Sequence, residues 1–86
     1  MPEVSRFLGI RIRMFFEDHA PPHFHAVYGS REAVIEIDTL EIVRGRLPPR
    51  VSWLVLEWAL LHRSELRANW FRASSGGSLL PIRPLE

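Results

Sequence analysis

The sequence predicts a small α+β domain, in which a four-stranded antiparallel β-meander is followed by one long C-terminal helix packed on its apolar face and by an extended C-terminal arm. Apolar and polar residues alternate with a period of two in the first half of the chain, and apolar residues recur at helical spacing in the second half. Eighty-six residues suffice for one hydrophobic core, so residues 1–86 are expected to form a single domain.

The strands are predicted from this alternation and from the turn residues between them. They cover about residues 7–16, 23–29, 32–38 and 41–45. Pro21 and Pro22 mark a loop, because two successive prolines do not fit the paired interior of a strand. Gly29 and Ser30 indicate a tight turn. The resulting sheet has one apolar face and one charged face.

One long helix is predicted for about residues 50–73, which contain neither glycine nor proline. Leu54, Trp58 and Leu61 recur there at helical spacing, and the sequence SSGGS then ends the helix. Residues 79–86 are apolar but contain two prolines, which favours an extended arm packed on the domain or on a neighbouring chain.

The first half of this helix is apolar on nearly every side, although a four-stranded sheet can cover only one side. A second chain is therefore expected to cover the rest, either another copy of the protein or a different partner. The residues predicted to bind this partner are Trp53, Leu56, Leu60, Leu80 and Ile82.

Composition excludes some kinds of chemistry. The chain has no cysteine, so disulfides, thiolate metal ligands and a cysteine nucleophile are excluded. It shows no apolar signal core and no run long enough to cross a bilayer, from which a cytoplasmic location is expected. All 11 basic residues are arginine, which suits phosphate recognition but also follows from a bias in genomic base composition.

The stretch DHAPPHFHAVY, residues 18–28, holds the candidate site. Because residues two apart on a strand point to the same side, His23 and His25 are expected to present two imidazoles on one face. His19 and Asp18 lie just upstream, and the proline turn can fold them back over the pair. Two histidines with a third histidine or a carboxylate form the ligand set of a catalytic zinc or iron site, so a divalent metal is one predicted cofactor.

Two other interpretations of the histidines stay open. His23 and His25 can transfer protons without a metal while Arg11 and Arg13 hold a phosphodiester, as in RNA cleavage. Alternatively the histidines are structural and form ion pairs across the sheet with the acidic residues expected on the same face, Glu36 and Asp38. The second interpretation needs no cofactor.

The segments EDHAPPHFHAVYG, IEIDTLEIVRGRLPPR and LVLEWALLHRSEL, with the later NW, resemble small bacterial proteins grouped as domain-of-unknown-function family 4160. The similarity extends from about Pro2 to Leu85. The matching positions are Asp18, Pro21, Pro22, His23, Phe24, His25, Ala26, Glu57, Trp58, His62, Asn69 and Trp70. The chain departs from the family pattern at Leu40, where a turn glycine is usual, and at Gly77-Ser78, which replaces a more basic joint.

The resemblance implies a single domain without a settled activity. Genes for such proteins often lie beside a gene for another small domain, which implies a two-gene module of the toxin-antitoxin kind that acts through a protein partner and on RNA. Two rival functions remain. One is a small metal-dependent hydrolase or ribonuclease centred on His19, His23 and His25, and the other is a structural or regulatory homodimer without catalysis.

Overall fold

The computed structural model describes residues 3–16 and 18–86, and within these residues the sheet has five strands. They are β1 (Glu3–Phe7), β2 (Ile10–Arg13), β3 (His23–Tyr28), β4 (Arg31–Glu36) and β5 (Ile42–Gly45). Each strand pairs antiparallel with the next, in the order β1-β2-β3-β4-β5. The predicted α+β class and the antiparallel meander are confirmed, whereas the predicted number of four strands is wrong.

The extra strand arises because the first predicted strand begins at a hairpin turn. Leu8 and Gly9 both have positive φ, 52° and 80°, as a two-residue type I′ turn requires, and Phe7 pairs directly with Ile10. Leucine is rare at such a position, so no residue of the usual turn type marked this hairpin beforehand. Leu40 also has a positive φ, of 60°, which places a leucine in the conformation that a turn glycine would favour.

The single predicted helix is also wrong, because the structure has two: α1 (Pro49–Leu61) and α2 (Arg63–Ser74). His62 separates them with φ −120° and ψ 24°. No glycine or proline marks this break. At the end of α2 the prediction of a stop is confirmed, since Gly76 has φ 80° and the N–H of Gly77 donates to the carbonyl of Arg72 at 2.7 Å, as in a Schellman motif.

The apolar face of the sheet packs on α1 and forms the core. Trp58 lies at the centre, fully buried, with its ring 5.5 Å from that of Phe7 and 5.9 Å from that of Phe24. Its indole N–H donates to the carbonyl of Arg83 at 2.8 Å, which joins the arm to the core. The other buried apolar residues of the cluster include Ile10, Ile12, Met14, Ile35, Ile37, Val55 and Leu66. The predicted packing of the helix on the apolar face of the sheet is therefore found in the structure.

The C-terminal arm packs on its own domain. The N–H of Ile82 donates to the carbonyl of Val4 at 2.7 Å, and the buried amide of Asn69 both donates to and accepts from the backbone of Leu80, at 2.8 and 2.9 Å. Ile82 is 3% exposed. Its burial does not fit the prediction that it binds a partner, because it belongs to the core of its own chain.

Helix α2 closes one end of the sheet. Arg67 donates to the carboxylate of Asp38 at 2.8 Å, and the ring of Trp70 lies 5.0 Å from that of His23. Asp38 was predicted as a neighbour of the histidines, but this ion pair turns it towards α2 instead. None of the helices in the described part of the chain combines the length and the apolar character needed to cross a membrane.

Candidate metal centre

His23 and His25 lie on the polar face of the sheet, as the alternation predicts. They belong to β3, the central strand of the five, and the buried residues Phe24 and Ala26 alternate with them on the opposite face. The two imidazole centroids are 5.3 Å apart. A central strand anchored on both sides by hydrogen bonds is a rigid support for a pair of ligands.

The ring of His23 is fixed at both nitrogens. Its Nδ1 lies 2.8 Å from the carbonyl oxygen of Pro21, and its Nε2 lies 2.9 Å from Oδ2 of Asp18. A carbonyl oxygen only accepts hydrogen bonds, so Nδ1 must carry a proton.

His25 has a similar arrangement. Its Nδ1 lies 2.8 Å from Oε2 of Glu32, and its Nε2 lies 3.6 Å from the same Oδ2 atom of Asp18. This Nε2 atom is buried and has no hydrogen-bond partner. Because the Glu32 carboxylate is an acceptor, Nδ1 is again the protonated nitrogen.

Both Nε2 atoms therefore face one carboxylate oxygen while the proton of each neutral ring resides on Nδ1. In this tautomer the Nε2 lone pairs of His23 and His25 point at the negative charge of Asp18, which is repulsive unless a positive charge lies among them. Either a second proton on an imidazole or a metal cation supplies that charge. Either source of positive charge satisfies this geometry.

The loop before β3 positions the carboxylate of Asp18 beside the two histidines. The N–H of His19 donates to Oδ1 of Asp18 at 2.8 Å, and the carbonyl of Pro22 accepts from the N–H of Ile37 at 2.9 Å. Within this loop Ala20–Pro21 is a cis peptide bond. The loop is thus fastened both to itself and to the residue that follows β4.

Electrostatics at Asp18 favour the ionised carboxylate. Partial burial acts to raise the pKa of Asp18. The hydrogen bond from the backbone of His19 and the charge and hydrogen bond of His23 act in the opposite direction, and the pKa is lowered overall. The carboxylate is therefore available as a ligand at neutral pH.

Aromatic side chains hold both imidazoles from the sides. The ring of Phe15 packs edge-on against His25 with centroids 4.7 Å apart, and Trp70 packs against His23 at 5.0 Å. The four rings form a continuous row, Phe15–His25–His23–Trp70. This row limits rotation of the two imidazole rings.

The three candidate donor atoms nearly match the size of a metal site. One ligand atom from each of Asp18, His23 and His25 lies within 4.8 Å of the others, and these three residues are the only such group in the described part of the chain. Ligand atoms about 2.1 Å from a tetrahedral zinc ion are about 3.4 Å apart. The 3.6 Å between Nε2 of His25 and Oδ2 of Asp18 is close to this spacing, whereas the 2.9 Å between Nε2 of His23 and the same oxygen would have to widen. His19 was predicted as a ligand, but it lies outside this group.

An open cleft of about 350 Å³ adjoins the three residues. Besides the candidate ligands and the loop, its lining includes His19, Val34, Glu36, Val43 and Arg44. The cleft leaves the three residues accessible to solvent and to a small molecule.

Comparison with known proteins places the chain in a family. The model of the family described as domain of unknown function (DUF4160) matches residues 9–71, well over half of the chain. The chain belongs to this family. No curated protein and no solved structure matches it. The matched segment includes Asp18, His23 and His25 as well as Trp70, whereas β1 and the C-terminal arm lie outside it. The predicted family resemblance is thus confirmed, while the association with toxin-antitoxin modules stays a prediction.

The arginines predicted for metal-free catalysis lie on the same face of the sheet as the histidines but outside the cleft. Arg13 is directly opposite His25 on the neighbouring strand, and Arg11 is opposite Val27, farther from the loop. Arg44, which the sequence analysis did not single out, lines the cleft from β5.

Glu32 and Trp70 were not predicted as neighbours of the histidines. The position of Glu32 could have been predicted from the turn. A two-residue turn at Gly29-Ser30 pairs His25 with Val34, so Glu32, two residues before Val34, lies diagonally across the strand pair from His25. Trp70 gave no such signal, because its position depends on how α2 leaves the helix break at His62.

Proposed function

We propose that the chain binds one divalent transition-metal ion through Asp18, His23 and His25 and uses it for hydrolysis of a substrate in the adjoining cleft. The observation that carries the proposal is the convergence of two Nε2 atoms, both without a proton in the neutral rings, on one carboxylate oxygen. A cation between these atoms would remove the repulsion between the two nitrogen lone pairs and the carboxylate.

The donor set favours zinc or iron(II) over calcium or magnesium. Two imidazoles and one carboxylate suit transition metals, whereas hard cations such as calcium prefer oxygen ligands alone. Three protein ligands leave at least one coordination position free, which is typical of catalytic rather than structural sites.

Residues outside the ligand set support the same function. Metal-binding histidines commonly donate their other N–H to a carboxylate or to a backbone carbonyl, which fixes the tautomer and the orientation of the ring. Glu32 does this for His25, and the carbonyl of Pro21 does it for His23. A structural ion-pair network would not need both rings to turn the same nitrogen inwards.

The chemistry follows from this ligand set and from Glu36. When bound, the metal would lower the pKa of a water molecule towards about 7. Glu36 lines the cleft opposite His23 on the neighbouring strand, where its carboxylate can accept the proton of that water. The water oxygen then bonds to the reacting centre of the substrate, the bond to the leaving oxygen breaks, and Glu36 returns the proton to that oxygen.

Calorimetric titration of chelator-treated protein with zinc tests the proposal. We expect one ion per chain, and we expect Asp18→Asn and His25→Gln to weaken binding by more than about a hundredfold, because each removes a ligand. Asp18→Asn preserves the size of the side chain, so a loss of binding in a variant with unchanged circular dichroism does not reflect unfolding.

Two histidine variants serve as controls. His19→Ala removes an imidazole of the loop that lines the cleft but lies outside the ligand group, and His62→Gln removes one between the helices, so both should bind zinc as the wild type does. Failure of the wild type to bind, or equal loss in the control variants, would contradict the proposal.

A homodimer is a second candidate, and one observation favours it. Trp53 is 73% exposed and Leu60 is 63% exposed on the outer side of α1, which leaves large apolar side chains in solvent. In the purified protein only another copy of the chain can cover them. This function does not conflict with the metal centre, because the two surfaces lie on different sides of the sheet.

A further inference from the structure

We infer that the cleft takes a phosphodiester, and that Arg44 binds its phosphate beside the metal ion. The inference rests on the proposed metal centre and names its substrate class and one further binding residue. Neither the family match nor the ligand set assigns this role to Arg44.

The register of the sheet places Arg44 in line with the site. His25 pairs with Val34, and Val34 pairs with Arg44, so the three residues form one row across β3, β4 and β5 on the same face. Neighbouring strands are about 4.8 Å apart, which puts the backbone of Arg44 about 10 Å from that of His25. The side chain lines the same cleft as the ligands.

The guanidinium of Arg44 forms no ion pair with the described residues. The ion pairs of the described residues engage Arg6 with Glu3 and Arg67 with Asp38, and none of them involves Arg44. A guanidinium that is exposed in a cleft and has no carboxylate partner in the described part of the chain is available for an anion. Its planar group binds two phosphate oxygens at once.

The charge of the lining decides between classes of phosphate. A divalent ion and Arg44 contribute three positive charges, and the carboxylates of Asp18 and Glu36 contribute two negative ones. The net charge of +1 matches the single negative charge of a phosphodiester better than the double charge of a phosphomonoester. Val34 and Val43 add an apolar wall for one of the two ester groups.

The volume of the cleft limits how much of the substrate can be enclosed. A volume of about 350 Å³ lies at the lower end of the range for small-molecule sites, which begins at about 300 Å³. It accommodates the phosphate and one substituent, while the second substituent extends into solvent. In the reaction the water oxygen bonds to phosphorus, one ester P–O bond breaks, and the alcohol leaves with the proton carried by Glu36, so no oxidant or reductant is needed.

The first experiment uses the cobalt(II)-loaded protein, whose visible absorption reports on metal coordination. Inorganic phosphate should change this spectrum, and Arg44→Gln should weaken the apparent phosphate affinity at least about tenfold, since it removes a charged hydrogen-bond donor. Arg31→Gln is the matched control, because Arg31 is exposed at the start of β4 opposite Tyr28, beside the Gly29-Ser30 turn and away from the cleft lining.

The second experiment compares hydrolysis of bis(p-nitrophenyl) phosphate and p-nitrophenyl acetate by the zinc-loaded protein. We expect Arg44→Gln to slow the phosphodiester and leave the acetate ester unaffected, with Arg31→Gln changing neither. Arg44→Lys should restore part of the phosphodiester activity, because it restores the charge but not the planar group.

The possible failures are distinguishable. Normal cobalt binding with a spectrum that phosphate does not change, or with phosphate affinity equal in Arg44→Gln and wild type, would overturn this inference and leave the metal centre intact. Failure of cobalt itself to bind would overturn both.

Discussion

Each of the two site histidines uses Nδ1 to donate to a fixed acceptor and turns Nε2 to the same oxygen of Asp18. The two histidines have different acceptors because they occupy different positions on β3. Successive outward residues of β3 are two apart, so His23 reaches the proline loop that precedes the strand while His25 reaches the adjacent strand.

Glu32 is the residue whose effect separates a metal centre from a simple ion-pair network. We expect Glu32→Gln to weaken zinc binding by about 10- to 100-fold, because a neutral amide orients His25 less strongly and makes its Nε2 a poorer ligand. Competition with a chromophoric chelator measures this change. Glu41→Gln, which alters an exposed glutamate before β5, should have no effect, and an unchanged affinity in Glu32→Gln would argue against the assigned tautomer.

At the scale of the elements, the β1–β2 hairpin contains a residue that does not suit its backbone. Leu8 has φ 52°, a left-handed conformation that is unfavourable for leucine. Its side chain is 66% exposed, so burial offsets little of this conformational energy. Leu8→Asn creates the Asn-Gly pair that a type I′ turn favours, and should raise the free energy of unfolding by about 1 kcal/mol.

Urea denaturation measures the effect of the hairpin variant, and Leu8→Ala is its control. Alanine removes the apolar side chain but keeps the strained conformation, so it should give no such gain. A loss of stability in Leu8→Asn would mean that Leu8 makes contacts that its exposure does not reveal.

The C-terminal arm depends on one amide side chain. Asn69 is 1% exposed, and its amide hydrogen-bonds both the N–H and the carbonyl of Leu80. It thus satisfies the two backbone groups that a neighbouring β-strand would otherwise bind. We expect Asn69→Ala to lower stability by about 2 kcal/mol and to speed hydrogen exchange at the amides of Leu80 and Ile82. Ser74→Ala, which removes a side-chain bond to the backbone of α2 only, should leave those amides protected.

The parts of the fold that depend on local pattern could be predicted from the sequence. The alternation from His23 onwards and the Gly29-Ser30 turn define the β3–β4 hairpin, and this hairpin alone places two of the three candidate ligands. Asp18 was predicted because the two prolines turn the chain back towards the strand. The site is therefore readable because it is contiguous in sequence.

The remaining features depend on contacts that no local pattern reports. The hairpin at Leu8-Gly9 was hidden because a leucine occupies a turn position that favours asparagine or glycine. The helix break at His62 involves neither glycine nor proline, and the imidazole there instead contacts Glu65 and the ring of Trp58. Since Trp70 reaches His23 only after this break, its role could not be predicted.

At the scale of the whole molecule, the sheet separates two surfaces. Its polar face carries the proposed metal centre and the cleft, while its apolar face is covered by α1, whose outer side exposes Trp53, Leu60 and Leu61. Leu56 on the same helix is only partly exposed, so the predicted partner surface is retained in part. A partner can therefore bind to α1 without blocking the cleft.

This outer surface of α1 should make the purified protein self-associate. We expect sedimentation velocity to show concentration-dependent dimers, and Trp53→Gln combined with Leu60→Gln to shift the protein to monomer, because both changes remove large apolar contacts. Zinc affinity should not change. A wild-type protein that stays monomeric at high concentration would contradict the expected homodimer.

The convergence of His23 and His25 on Asp18 is the central claim, and long-range proton–nitrogen correlation spectroscopy of the imidazole rings tests it most directly. The spectra distinguish protonated, unprotonated and metal-bound nitrogens, and they are recorded before and after one equivalent of zinc. We expect Nδ1 of both rings to remain protonated and both Nε2 resonances to move to metal-bound positions, while His19 and His62 stay unchanged. Resonances of His23 and His25 that do not respond to zinc, or that show the proton on Nε2 of both neutral rings, would contradict the account.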